Sequence, residues 1–72
     1  MKKQVALKVL ETTSKCSIEL SELVPYLKNN CEDEDEYEIL AKNVAKAMAY
    51  IFFEIDSRIY EKYPELKPSD ST

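Results

Sequence analysis

The chain has 72 residues, of which 44% are apolar and 33% charged, and a net charge of −4. This composition is typical of one small soluble domain near the lower size limit for a self-sufficient core. It contains no glycine and no histidine, which excludes glycine-rich phosphate loops and glycine-containing calcium loops in their usual form, and histidine-based catalysis or zinc binding within one chain. We therefore expect no catalytic residue, no cofactor, no metal and no enzymatic activity.

The negative charge is concentrated in one place. Six carboxylates lie within residues 32–38, and the rest of the chain has ten Lys/Arg against eight Asp/Glu. Nucleic-acid binding is not expected, because there is no dense Lys/Arg stripe to meet a phosphate backbone. The longest apolar run, 47–53, is far shorter than a membrane span. Cys16 and Cys31 lie at opposite ends of a predicted helix, too far apart to bridge, as is typical of a cytoplasmic protein.

Residues 3–13 carry the first predicted helix. Ala6, Val9, Leu10 and Thr13 recur at helical spacing, which indicates one buried face. The segment 12–14, Thr-Thr-Ser, consists of weak helix formers, so we expect the helix to end at about residue 13.

Residues 18–30 carry the second predicted helix, with Ser17 available as a cap at its start. Its apolar positions follow helical spacing, and they are Leu20, Leu23, Val24, Leu27 and Cys31. Pro25 lacks an N–H and presses on the preceding turn, so we expect either a bend there or a late start near Ser21. Asn29 and Asn30 are able to form the left-handed turn that ends a helix.

Residues 35–62 carry the third and longest predicted helix. Its apolar residues alternate steps of four and three, as in a heptad seam; they are Tyr37, Ala41, Val44, Met48, Ile51 and Ile55. Pro64 ends this helix, and we expect residues 64–72 to form a polar, proline-containing mobile tail. The prediction is an all-α domain over residues 1–63, with two short helices and one long C-terminal helix.

The acidic run has three interpretations, of which metal binding is the least favoured, because the spacing does not match a calcium loop and no glycine is present. The acidic residues are Glu32, Asp33, Glu34, Asp35, Glu36 and Glu38. Negative charge in the first turn of a helix is favoured by the helix dipole, and the favoured interpretation is that the run begins the third helix. The alternative is a patch whose potential attracts a basic protein partner.

The segment 47–53, AMAYIFF, contains no polar side chain apart from the tyrosine hydroxyl. Seven consecutive apolar residues point in every direction around a helix, and two short helices cannot cover all of a long one. We therefore expect a helical-bundle homodimer. The alternative is a compact monomer in which the first two helices cover this face and the Tyr50 hydroxyl reaches water. The predicted dimer or partner interface is Ala41, Ala45, Met48, Ala49, Tyr50, Phe52 and Phe53.

These features predict a small helical dimerisation or protein-interaction module that is able to engage a basic partner through its acidic helix start. The alternative is an inhibitor or immunity-type protein whose acidic run masks the basic site of a nuclease or of another nucleic-acid-binding protein.

Overall fold

The structure, a computed structural model, describes residues 1–68, and every regular element among them is helical. The first helix, α1, runs over Lys3–Asn30, and the second, α2, over Glu34–Tyr50. A π-helical turn, Ile51–Asp56, and a final helix, α3, Ser57–Lys62, follow α2 without a break. The prediction of an all-α protein is confirmed. The chain forms two helical arms, however, instead of the three separate helices predicted.

The predicted break between residues 13 and 18 is absent, because α1 continues through it. The Thr12 hydroxyl donates a hydrogen bond to the Lys8 carbonyl at 2.9 Å, which is the back-bonded arrangement of a threonine inside a helix. Thr13 is buried and donates to Asp56 Oδ1 of the other arm at 2.6 Å. Weak helix propensity costs only a few tenths of a kcal/mol per residue, so this contact between the arms outweighs it. Ser17 lies inside the helix and caps nothing.

Pro25 also lies inside α1, so the late start expected near Ser21 is wrong. Proline removes the hydrogen bond to the carbonyl four residues earlier. That residue, Ser21, is exposed, and solvent can satisfy its carbonyl. The end of α1 also differs from expectation, because no described residue has a positive φ. Asn30 instead donates from its side chain to the Tyr26 carbonyl at 2.8 Å.

The two arms are antiparallel. Residues 31–33 are the only connection between them, which places the start of α2 next to the end of α1. At the other end of the molecule, Tyr63 donates to the Met1 carbonyl, and Lys3 Nζ lies 3.5 Å from a carboxylate oxygen of Glu65. The positions at the start of the predicted seam are half-buried between the arms; they are Tyr37, Ala41, Val44, Met48 and Ile51.

The predicted polar tail begins with an ordered turn. Pro64–Leu66 form a short 3-10 helix, and Leu66 is half-buried. The ion pair between Lys3 and Glu65 ties this turn to the start of α1. Residues 69–72 of the predicted tail lie outside the described residues.

The π-helical turn brings the end of the second arm back into contact with α1. In a regular α-helix, eight residues turn about 80° past two full turns, so Ile51 and Ile59 would point in different directions. A π turn is wider and takes up one extra residue. Ile51 is half-buried and Ile59 is buried, whereas Ile55, which the sequence places in the seam, is exposed. The same rotation brings Asp56 to Thr13.

Deletion of Glu54 tests this account of the π turn. Glu54 is exposed within the turn, and without it a regular α-helix would carry Ile51 and Ile59 about seven residues apart, close to two full turns. We expect the deletion variant to keep its helical circular dichroism and to melt within about 5 °C of the unmodified chain, a shift corresponding to no more than about 1 kcal/mol.

Deletion of Lys46 is the matched control, because Lys46 is exposed in the regular part of α2. Its loss rotates every later residue by about 100° and should abolish cooperative melting. Equal damage from the two deletions would contradict the role given to the π turn.

Candidate interaction surfaces

The apolar core of the described chain is very small. Ala6 is 0% exposed and Ile59 is 3% exposed, and they are the only two apolar residues within 1–68 that are classed as buried. The third buried residue, Thr13, is polar and bonded to Asp56. A single-domain protein of this size normally gains its stability from a continuous buried cluster. Here that cluster is replaced by a line of half-buried contacts between two arms.

The dimensions of the chain agree with this description. Its principal-axis extents are 46 × 27 × 16 Å, so the chain is elongated along its two arms. The accessible surface is 5864 Å², about 1,250 Å² more than the roughly 4,600 Å² expected of a compact monomer of this mass. The radius of gyration, 15.1 Å, also exceeds the roughly 11 Å expected for a compact chain. The chain is therefore elongated and exposes more surface than a compact monomer of its mass.

Large apolar side chains are consequently left on the outside of both arms. They are Met1, Val5, Leu7, Ile18, Leu23, Tyr26, Ile39, Leu40, Tyr50, Phe52, Phe53 and Ile55. Single exposed apolar residues are common on protein surfaces and need no explanation. So many of them on so short a chain, together with so small a core, mark the outer faces of the hairpin as candidate interaction surfaces.

The residues of the predicted interface fall into two groups. Ala41 and Met48 are half-buried in the seam between the arms, so they already contact α1. The other five residues are exposed; they are Ala45, Ala49, Tyr50, Phe52 and Phe53. Tyr50 and Phe53 are each 66% exposed. Whether these five contact a partner stays a prediction.

The acidic run begins α2, in agreement with the interpretation favoured from the sequence. Asp33 is the N-cap, and its Oδ1 accepts a hydrogen bond from the Asp35 amide at 2.9 Å. The first turn contains Glu34, Asp35 and Glu36, as the helix dipole favours. All six carboxylates of the run are exposed, and the two ion pairs within residues 1–68, Lys3–Glu65 and Lys15–Glu11, use none of them.

Few groups in the described residues have chemistry beyond packing. Cys16 is exposed and Cys31 half-buried, and both are free thiols. Burial raises the pKa of the half-buried Tyr60 hydroxyl, and the nearby Asp56 carboxylate raises that pKa further. Tyr60, Phe52 and Lys67 line two adjoining shallow cavities.

Residues 1–68 contain neither a metal-ligand cluster nor a membrane-spanning helix. No cluster of side chains suited to a metal ion is present there. No helix in that part of the chain is both long enough and apolar enough to cross a membrane. The cytoplasmic location and the absence of enzymatic activity stay predictions.

The contact between Thr13 and Asp56 was not predicted from the sequence. The sequence does contain a pattern that indicates it, because the seam is interrupted near its end. Ile51, Ile55 and Ile59 follow each other at two steps of four instead of four and three. Two consecutive steps of four do not keep residues on one face of a regular helix. Such a break is the pattern that a π turn accommodates.

Comparisons with protein-family models, with curated proteins and with solved structures find no match for this chain.

Replacement of Thr13 by valine tests the contact with Asp56. Valine keeps the shape of threonine but removes the donor, leaving a half-buried carboxylate without its partner. We expect the free energy of unfolding, measured with urea at a fixed protein concentration, to fall by about 1–3 kcal/mol. Thr12→Val is the matched control, because the exposed Thr12 hydroxyl bonds only within its own helix, and its effect should stay within about 0.5 kcal/mol. Similar losses for the two variants would show that the hydrogen bond between Thr13 and Asp56 makes no special contribution to stability.

Proposed function

We propose that this protein is a small helical association module whose main interaction is with a second copy of itself. The observation that carries the proposal is the imbalance between the core and the surface. Two apolar residues within 1–68 are buried, while twelve large apolar residues are exposed. A second copy can cover some of these side chains in the way that a third and fourth helix do in a bundle.

The excess exposed area of the chain is large enough for a dimer interface of ordinary size. Stable interfaces bury roughly 600–1,000 Å² on each partner, and each chain exposes about 1,250 Å² more than a compact monomer of its mass. Closed twofold dimers are the commonest oligomers, and they bury the same patch on both copies. One twofold interface is therefore sufficient to cover most of the excess surface of the hairpin.

The proposal assigns no catalytic residue, cofactor or metal to the chain. Its function is to present a paired helical surface to other proteins. The absence of glycine and histidine supports this assignment, because the usual phosphate-binding loops and proton-transfer sites require those residues.

Measurement of mass in solution tests self-association directly. Light scattering coupled to gel filtration, at tens of micromolar protein, should give twice the chain mass of 8.4 kDa. Because apolar burial dominates the proposed contact, the dimer should persist in 0.5 M salt, where surface charge pairs are largely screened. A mass of one chain under these conditions, with full helical circular dichroism, would overturn the proposal.

A second candidate function is the masking of a basic partner by the acidic run. The supporting observation is that all six carboxylates are exposed and that the ion pairs within residues 1–68 leave them unused. Only one oxygen of Asp33 is needed to cap α2. The other carboxylates are therefore available to steer a cationic protein toward this end of the hairpin.

The double variant Glu32→Gln/Asp35→Asn removes two negative charges from the acidic run and tests this second function without removing the Asp33 cap. With a lysine-rich peptide as the probe, we expect binding by the unmodified chain in 50 mM salt, and at least a fivefold loss of affinity in the variant. The matched control is Glu19→Gln/Glu22→Gln, which removes the same amount of charge from exposed positions of α1. Equal affinity for the two double variants would show that the acidic run has no special role.

A further inference from the structure

Helix α1 carries a second apolar stripe in addition to the one that contacts α2. The contacting stripe contains Ala6, Thr13 and Val24, which are buried or half-buried. At about 100° per residue, the second stripe lies on one flank of that contact. Its members are Val5, Val9, Thr12, Cys16, Leu20, Leu23 and Leu27. Val9, Leu20 and Leu27 are half-buried at the edge of the contact, and the other four are exposed. The second stripe contains no charged residue over about 33 Å of helix. The apolar surface of α1 is therefore wider than a helix with a single neighbour needs, and its outer flank is exposed.

The hairpin has two broad faces, and each contains one flank of α1 and one flank of α2. A cavity near the connection shows which flanks lie on the same face. Lys28 of α1 and Glu34 of α2 line the same cavity, together with Tyr37. Lys28 lies on the opposite flank of α1 from the second stripe, and Glu34 lies on the corresponding flank of α2. The second stripe therefore shares the other broad face of the hairpin with the remaining flank of α2.

That flank of α2 carries the exposed Glu36 at its start and is uncharged from Leu40 to Ile51. Leu40 and Ala47 are exposed there, next to the half-buried Ile51, and Ile55 follows them at the π turn. Asn43 is the polar residue between Leu40 and Ala47. The two flanks together form one broad apolar face, which we call the stripe face.

The spacing within the second stripe is the same in both directions along the helix. From Val5 to Leu27 its steps are four, three, four, four, three and four residues, with Cys16 at the centre. Two antiparallel copies of α1 therefore place stripe against stripe along the whole length. Val5 of one copy meets Leu27 of the other, and Cys16 meets its own counterpart. This self-complementarity is what a twofold interface requires.

The charges of the chain favour the same arrangement. Antiparallel pairing of α1 places the two acidic runs at opposite ends of the dimer, separated by much more than the Debye length of about 8–10 Å. Lys2 and Lys3 then lie near the acidic connection of the other copy, because residues 1–3 oppose the end of the partner's α1. Parallel pairing would instead bring two groups of six carboxylates together.

We propose that a second copy of this chain packs on the stripe face, with the two α1 helices antiparallel about a twofold axis beside Cys16. The inference rests on the proposed self-association and specifies its surface. The stripe face is then the principal contact. The five exposed residues of the interface predicted from the sequence are not; they are Ala45, Ala49, Tyr50, Phe52 and Phe53. The paired hairpins form a four-helix arrangement in which α1 lies in the centre and α2 contributes the flank from Leu40 to Ile51.

Cross-linking through the cysteines tests the position of the twofold axis. Helix axes in contact are about 8–10 Å apart, which brings opposed Cα atoms within reach of a disulfide. Under mild oxidation, the Cys31→Ser variant, which keeps Cys16, should become a covalent dimer in high yield. The Cys16→Ser variant keeps Cys31, whose two copies lie roughly 45 Å apart at 1.5 Å per residue, and it should stay uncross-linked. The reverse result, or no cross-link from Cys16, would overturn the inference.

A lysine scan on exposed apolar positions provides a second and independent test. Leu23 is 41% exposed in the second stripe, and Ile18 is 55% exposed on the opposite side of α1. Leu23→Lys should weaken dimerisation at least 100-fold by sedimentation equilibrium, while Ile18→Lys should change it by less than threefold. If Phe53→Lys dissociates the dimer and Leu23→Lys does not, the stripe face is wrong but self-association stands. If the unmodified chain is monomeric, both proposals fail.

Discussion

The structure depends on a geometric limit: two helical arms lying side by side can cover each other along only one line. Each helix has a full circumference of side chains, and a neighbour removes about a third of it from water. The small core within residues 1–68, Ala6 and Ile59, expresses this limit, as do the many half-buried residues between the arms. Both proposals of self-association start from the apolar residues that this arrangement leaves exposed.

The polar contact between the arms has a different role. A line of half-buried aliphatic side chains specifies burial but is tolerant of sliding, because apolar contacts have little directional preference. The hydrogen bond from Thr13 to Asp56 requires one position of α1 opposite one position of the second arm. The π turn makes that position available by rotating Asp56 inward and Ile55 outward. Burial holds the arms together, and the hydrogen bond selects their register.

The sequence predicted the parts of this structure that depend on regular periodicity. The helical fold and the first five seam positions, from Tyr37 to Ile51, follow directly from the spacing of apolar residues. The break at residues 12–14 was wrong because weak helix propensity was given more weight than a contact that only the folded chain reveals. Ile55 was misplaced because a π turn changes the residue count per turn.

The candidate sites were likewise predicted where they depend on local sequence and missed where they depend on how the two arms pack. The acidic run was interpreted as a helix start, and its capping by Asp33 depends only on local geometry. The predicted interface needed knowledge of which side of α2 faces α1, and periodicity does not contain that information. Ala41 and Met48 therefore lie between the arms, while the second stripe of α1 remained hidden in the sequence because the predicted break divided it into two short segments.

The three-residue connection also determines the order in which the hairpin opens. Contacts beside the connection close short loops, whereas Thr13 and Asp56 are 43 residues apart and Met1 and Tyr63 are 62 apart. Closing a longer loop costs more chain entropy, so the arms zip together from the connection toward the chain ends. Opening proceeds in reverse, so the hydrogen-bonded amide of Tyr63 exchanges with solvent before the hydrogen-bonded amides that flank the connection, those of Cys31 and Tyr37.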